Sequence, residues 1–285
     1  MTGTLTSNSA KIPFNDRYFG DLRATPWTNR SPESLRQAFR DQGYLFLKRY
    51  LDRGEVLDQR SKYFAGFPSS LFKPGTRQED GIFSGAFPTD LPPHGASDHP
   101  AHPFVRTREF ERFVDSERLQ FLSQILLEHS VTRLRRTPLR HFVRGRSVAS
   151  RAHIDFSYLD CGTSELVTIW IPIGDCPLRA GGLIYLEDSQ QIEFASVRTA
   201  LSSDRAHDHR PLTHELQELA DLTGRRWLWA DFEAGDIVVH SPFMAHASVN
   251  SETDLMRVST DVRYARSDAP VDPRWRSDWS ATDGF

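Results

Sequence analysis

Along this chain the apolar positions follow two spacings, and the change from one to the other marks out the elements. Over 107–136, Phe110, Phe113, Leu119, Phe121, Leu122, Ile125 and Leu126 return every three or four residues, the stripe of a helix that packs on a sheet. Upstream, 31–67 carries two helical stretches around a strand: Ser31 caps the first, Pro32 sits in its first turn, and 43–48 is extended. Beyond Leu139 the pattern changes. The segment 139–148 enters the core, Ile237, Val238 and Val239 form a short buried strand leaving a Gly235-Asp236 turn, and 256–264 alternates strictly. Trp227 and Trp229 also alternate and predict a strand leading back to Gly235. Two polar segments interrupt these elements. The stretch 68–103 is rich in Gly, Pro, Ser and His and reads as a lid or mouth loop, and 188–230 is of mixed charge with a short amphipathic helix beginning at Glu215.

Candidate chemistry lies at the ends of the extended segments. Side chains two apart on a strand share a face, so His153 and Asp155 can present an imidazole and a carboxylate to one point while Ile154 turns into the core. That arrangement suits a two-histidine, one-carboxylate triad, with nitrogen and oxygen ligands on one side of Fe(II) and the opposite positions open. Taken alone, His-x-Asp arises about once by chance in a chain of this composition, and a His and an Asp on the wet face of a strand is the plain alternative. Further on, His240 and His246 flank the breaker Ser241-Pro242, and on the following strand Arg257 and Ser259 point the same way. A rigid, permanently charged guanidinium fork suits a carboxylate better than a flexible ammonium does. Buried, such an Arg needs an anion; solvated, it does not.

Gly235-Asp236-x-Val238-x-His240, then His246 after five residues, Asn250 four later and Arg257 eleven after His246, resembles the C-terminal signature of the phytanoyl-CoA dioxygenase family of Fe(II)/2-oxoglutarate oxygenases. Upstream, His153-x-Asp155, then 166–175, then 181–186 follow the order in which that family lays out its first core strands. The likeness runs from Ala38 to Tyr264, with 188–230 matching poorly. It implies an α+β protein whose centre is a double-stranded β-helix, a jelly-roll or cupin-like barrel buttressed by helices. One domain would span 1–285: support over 31–138, barrel over 139–264 with the insertion 188–230, and a tail over 265–285 bearing Trp275 and Trp279. By resemblance His153, Asp155 and His246 would hold the iron, Arg257 would bind the far carboxylate of 2-oxoglutarate with Ser259, and Thr168 and Trp170 would touch the same co-substrate. His240 is the rival third ligand; its alternative is a half-buried His hydrogen-bonded beside the site.

The implied activity is a dioxygenase consuming Fe(II), 2-oxoglutarate and O2, releasing succinate and CO2 and hydroxylating an unactivated C–H bond of a small, secondary-metabolite-like molecule. Desaturation, epimerisation and ring closure would use the same ligands, whereas Asp155 argues against the halogenase variant of such sites. A cupin-like metal-binding protein, or a non-redox hydrolase or isomerase, is the alternative class; a hydrolase has no need of a carboxylate clamp at Arg257. Composition narrows the rest. With 285 residues, 38% hydrophobic, the chain is long enough for a sizeable core, and a net charge of −3 gives no sign of a nucleic-acid surface. No apolar run has the length of a signal core or a membrane span, and Cys161 and Cys176 lack metal or redox spacing, so a cytoplasmic monomer or homodimer with reduced thiols is expected. Three histidines, His94, His99 and His102, invite a second metal site, but a Pro-broken loop has nothing to align them. Arg144 or Arg146 could lean toward the metal, and the basic group Arg198, Arg205, His207, His209, Arg210 and His214 could meet an acidic substrate; a solvated surface is the alternative for each.

Overall fold

A computed structural model describes residues 3–201, 208 and 210–281. The chain opens with a hairpin of β1 (Thr4–Ser7) and β2 (Ala10–Pro13), followed by β3 (Phe19–Asp21). Next comes α1 (Pro32–Gln42), where the Ser31 hydroxyl accepts from the Ser34 amide and Gly43, in the left-handed region, closes the helix onto the Phe39 carbonyl. The chain then forms β4 (Tyr44–Leu47) and α2 (Arg53–Phe64), which is capped by the Asp52 carboxylate.

The helix expected over 107–136 is divided. After a short α3 (Ala101–Val105), α4 (Arg108–Val114) ends at Asp115, and Ser116 is extended before α5 (Glu117–Leu127) begins. Glu128 turns left-handed, and Val131–Arg133 then leaves as strand β5, since β-branched Val131 and Thr132 suit the free edge of the neighbouring sheet. The apolar stripe is common to both helices; only the backbone path between them was hidden.

The remaining strands are β6 (Leu139–Phe142), β7 (Leu166–Pro172), β8 (Leu183–Leu186), β9 (Trp227–Trp229), β10 (Ile237–His240), β11 (His246–Ser248) and β12 (Arg257–Arg266). Between β8 and β9 lie α6 (Phe194–Ala200) and α7 (Leu216–Thr223), the second being the amphipathic helix expected after Glu215. The chain passes back and forth between two sheets. One has the order β4-β10-β7-β12-β5 with β6 also on β12, the other β11-β8-β9-β3, and all pairs but β3–β9 are antiparallel. This is a double-stranded β-helix of the jelly-roll kind.

Period-two alternation sorts the side chains. On β7, Val167, Ile169 and Ile171 pack against the layer of α1, α2, α4 and α5, whereas Thr168 and Trp170 point between the sheets. The space between the sheets is filled at one end by Tyr44, Phe46, Trp170, Tyr185, Leu228 and Phe232. The outer face of the smaller sheet is covered by the N-terminal hairpin, α6 and α7. Asn250 ties that hairpin down, its side chain bonding Thr6 Oγ1 at 2.9 Å and the Asn8 carbonyl at 2.8 Å. Among the described residues no helix is long and apolar enough to cross a membrane.

Arg60 of α2 joins the helical layer to the larger sheet. Its guanidinium, 3% exposed, donates to the carbonyls of Glu79, Ile173, Asp80 and Met256 at 2.9–3.1 Å. Burial pushes its pKa down to about 10. Gly81 (φ 63°), which ends a single 3-10 turn over Gln78–Asp80, closes against it, since a Cβ there would collide with the guanidinium and the Phe64 ring. Arg60→Met should therefore cost about 3 kcal/mol or more, because four carbonyls lose a charged donor without gaining water. A urea midpoint equal to that of the wild type would show those carbonyls to be satisfied without it.

Candidate metal centre

His153 and Asp155 do not lie on a continuous strand. His153 makes a single two-bond bridge with His246, both N···O distances 3.0 Å, and from Asp155 the chain enters one turn of 3-10 helix through Tyr158. The Phe156 amide donates to the Pro242 carbonyl at 2.9 Å, which draws the segment away from the ladder. Ile154 is buried in the core, and the two polar side chains still converge. His153, Asp155 and His246 offer ligand atoms that all lie within 4.8 Å of one another. Asp155 Oδ1 stands 3.8 Å from His153 Nε2 and 3.8 Å from His246 Nε2.

The surroundings hold both rings in one orientation. His153 Nδ1 lies 2.7 Å from the Arg151 carbonyl and His246 Nδ1 3.0 Å from the Met244 carbonyl. A carbonyl only accepts, so each Nδ1 carries the proton and each Nε2 turns a lone pair toward Asp155 Oδ1. Burial lowers the pKa of both imidazoles, His246 well below the usual value, with the neighbouring histidines adding to the effect there. Neutral imidazoles and one carboxylate are the donor set of an Fe(II) or similar divalent site with open positions.

Asp155, 1% exposed, is held from behind. Its Oδ2 accepts from Thr168 Oγ1 at 2.5 Å and lies 3.4 Å from His240 Nε2, and Arg263 Nη2 reaches both carboxylate oxygens at 3.0 Å. Burial by itself would raise the Asp155 pKa; the Arg263 guanidinium, with His240, outweighs it and holds the carboxyl well below the usual range. His240 is fully buried with Nδ1 3.2 Å from the Tyr185 hydroxyl, so it backs the carboxylate and stands apart from the three converging atoms. Arg263 was not singled out from the sequence. Its signal in the sequence is parity: Arg257, Ser259, Asp261 and Arg263 share one face of an alternating strand, and the family resemblance bears on the first two alone.

At the other end of the space between the sheets lies Arg257. It is 2% exposed, donates through Nη1 to the Gly181 carbonyl at 2.5 Å and through Nη2 to Ser259 Oγ at 2.9 Å, and rests 4.4 Å over the Phe142 ring. Among the described residues no carboxylate pairs with it, and burial lowers its pKa. Trp170, its ring centre 5.5 Å from the Arg257 guanidinium, has a buried Nε1–H without a partner among the described residues. Tyr185 pairs with His246 across the ladder, and Gly181, whose carbonyl takes the Arg257 donor, lies four residues before it in the turn that leads into β8, so Arg257 stands further along the interior than the histidine. Thr168, expected beside the co-substrate, is turned against Asp155.

The other basic and imidazole groups lie elsewhere. Arg144 pairs with Asp254 at 2.6 Å. Arg146 covers the Phe87 ring and, with His94, His99 and His141, lines a separate cavity of about 340 Å³. His102 packs on Trp279 at 4.3 Å between ring centres. Among the described residues these imidazoles make no three-ligand cluster; Asp160, Cys161 and Asp272 do, but Arg274 already bonds both carboxylates. In the insertion, Arg210 is paired with Asp208 at 2.8 Å and Arg198 bonds Ser157, while Arg205, His207 and His209 lie outside the described residues. Both cysteines are free.

A family model described as phytanoyl-CoA dioxygenase matches residues 39–259. Among solved structures, the chain is similar to the non-haem α-ketoglutarate-dependent carbocyclase SnoK from nogalamycin biosynthesis, at 20% identity and a TM-score of 0.59 over 88% of this chain and 90% of that one. It is also similar to the epimerase SnoN in complex with Fe3+, α-ketoglutarate and nogalamycin RO, at 19% identity and 0.55 over 85% and 86%. EctD from S. alaskensis with 2-oxoglutarate and 5-hydroxyectoine gives 14% identity and 0.58 over 94% of each chain. Such identities speak for a shared fold. No curated protein matches by sequence.

The buried imidazoles make stability depend on pH. Burial pushes His99 down to about 4 and His141 well below the usual 6.5. The unfolded chain therefore takes up protons that the folded one refuses, and stability is full above about 6.5 and declines as the pH falls below it. The urea midpoint of the metal-free protein should drop between about pH 7.5 and about pH 5, and His99→Gln/His141→Gln should flatten that decline. A midpoint constant over this window would mean that the rings are solvated.

Proposed function

The chain belongs to the phytanoyl-CoA dioxygenase family, and from that premise we propose that it is an Fe(II)- and 2-oxoglutarate-dependent dioxygenase acting on a small molecule. The observation that carries the reading is Arg257, a guanidinium desolvated between two sheets without an anionic partner among the described residues. A buried charge of that kind is costly unless something brings the counter-charge. A dicarboxylate reaching from the His-Asp-His end to the Arg257 end would bring it, and the Trp170 ring beside that guanidinium carries a buried Nε1–H unpartnered among the described residues. A hydrolase would have no use for either.

His153, Asp155 and His246 would hold the ion, with Arg263, Thr168 and His240 keeping the Asp155 carboxylate in place. When bound, Fe(II) with 2-oxoglutarate and O2 supplies the oxidising power, releasing succinate and CO2. The protein's own part is positional. Arg257 and Ser259 would take the far carboxylate, Phe142 and Trp170 wall that end from water, and the carbonyls of Arg151 and Met244 keep both Nε2 atoms unprotonated. Hydroxylation of an unactivated C–H bond is the outcome we assign. Among the similar structures are an epimerase and a carbocyclase, so the placement of the substrate carbon, more than the ligand set, would decide the product.

Incubated with Fe(II) and 2-oxoglutarate in air, the protein should form succinate, and His153→Ala, Asp155→Ala and His246→Ala should abolish it. Arg257→Met should raise the 2-oxoglutarate dissociation constant at least about tenfold while leaving metal affinity unchanged, because only the far carboxylate loses its donor. If the iron-loaded protein forms no succinate and its visible spectrum ignores 2-oxoglutarate added without oxygen, the cupin-like metal-binding alternative takes its place.

A further inference from the structure

The cavity that opens on the candidate metal ligands has a volume of about 400 Å³ and is lined by both His153 and Asp155. Its other walls include Arg140, Arg151, Arg263, Tyr158, Asp208 and Trp275. Two of these charges are already matched: Asp208 by Arg210 at 2.8 Å, and Arg263 by Asp155 at 3.0 Å. Arg140 has only a 3.7 Å approach to Asp261. Arg151 is exposed and makes no side-chain hydrogen bond or close ion pair among the described residues; Asp208, already bonded to Arg210, is the carboxylate that feels its charge. An ion bound at Asp155 would draw on that carboxylate and leave Arg263 less fully neutralised, so the loaded cavity would be more cationic still.

We propose that the organic substrate carries an anionic group, a carboxylate or a phosphate, and that Arg140 and Arg151 seize it at the mouth of the metal cavity. The proposal rests on the dioxygenase reading and specifies the substrate class of that same site. Guanidinium forks match both kinds of anion. Arg151 has a second part in the geometry, because its own carbonyl orients His153 at 2.7 Å. An anion on its side chain is therefore anchored two residues from a metal ligand, and the rest of the substrate is turned toward Tyr158 and Trp275, whose rings line the same cavity. These cations come from β6 and the segment leading to His153. The insertion's Arg198 and Arg210, whose side chains bond Ser157 and Asp208, are already engaged.

The test uses inorganic phosphate and benzoate as probes, added to protein loaded with Mn(II) and saturating 2-oxoglutarate, and reads the paramagnetic relaxation of the phosphate 31P and the benzoate ring protons. At least one anion should give a saturable enhancement, and the tighter of the two identifies the group. Arg151→Gln should weaken it about tenfold, and Arg140→Gln/Arg151→Gln more, with 2-oxoglutarate affinity and thermal midpoint unchanged. Methyl benzoate should give no saturable enhancement at the same concentrations. Absence of saturation for both anions, equal affinity in the variants, or methyl benzoate matching benzoate would overturn the proposal. Should 2-oxoglutarate itself fail to bind, the dioxygenase reading falls. The arginines are then decided by calorimetric titration of the same anions into the metal-free protein, where dependence on Arg140 and Arg151 supports the subsite and independence overturns it.

Discussion

Everything at the centre of this molecule is arranged around one buried carboxylate. Asp155 is 1% exposed, and without compensation it would not remain ionised there. Arg263, Thr168 and His240 supply that compensation from three adjacent strands of the larger sheet, and they meet mainly on Oδ2. The result is directional. Oδ1 is left facing His153 and His246 at equal distances, so the same contacts that make the charge tolerable also aim it.

The two sheets then set a distance. Arg257 and Arg263 stand on one strand with the same parity, so one guanidinium braces Asp155 while the other waits at the far end of the interior. The first charge is matched within the protein; among the described residues no carboxylate pairs with the second. That asymmetry separates an ion pair closed within the protein from a guanidinium left open to an outside anion, and residue type alone does not reveal it, since both are buried arginines six residues apart.

A second pair of arginines belongs to the outer side. Arg140 and Arg151 line the cavity onto which His153 and Asp155 open, whereas Arg257 lies walled in behind Phe142 and Trp170. On the proposed reading, co-substrate and substrate would be met by guanidinium at two separate places near the candidate metal ligands, in different dielectric surroundings. The dry end favours one fixed dicarboxylate; the wetter end leaves room for a larger body against Tyr158 and Trp275.

Much of this was legible in the order of residues. Alternation on 256–264 placed Arg257 and Ser259 together, the capped run after Ser31 and the extended 43–48 appear as α1 and β4, and the spacing of His153, Asp155, His246 and Arg257 carried the family. These are local or pairwise features, fixed by backbone period and side-chain chemistry. What the chain order could not disclose was which groups meet across it. His153 holds its place through a bridge to a residue ninety-three positions away, Arg263 earns its role from Asp155, and Thr168 turns to that carboxylate because β7 lies between β10 and β12. Burial decides whether a polar side chain is solvated or must find a partner, and burial is a property of the closed barrel.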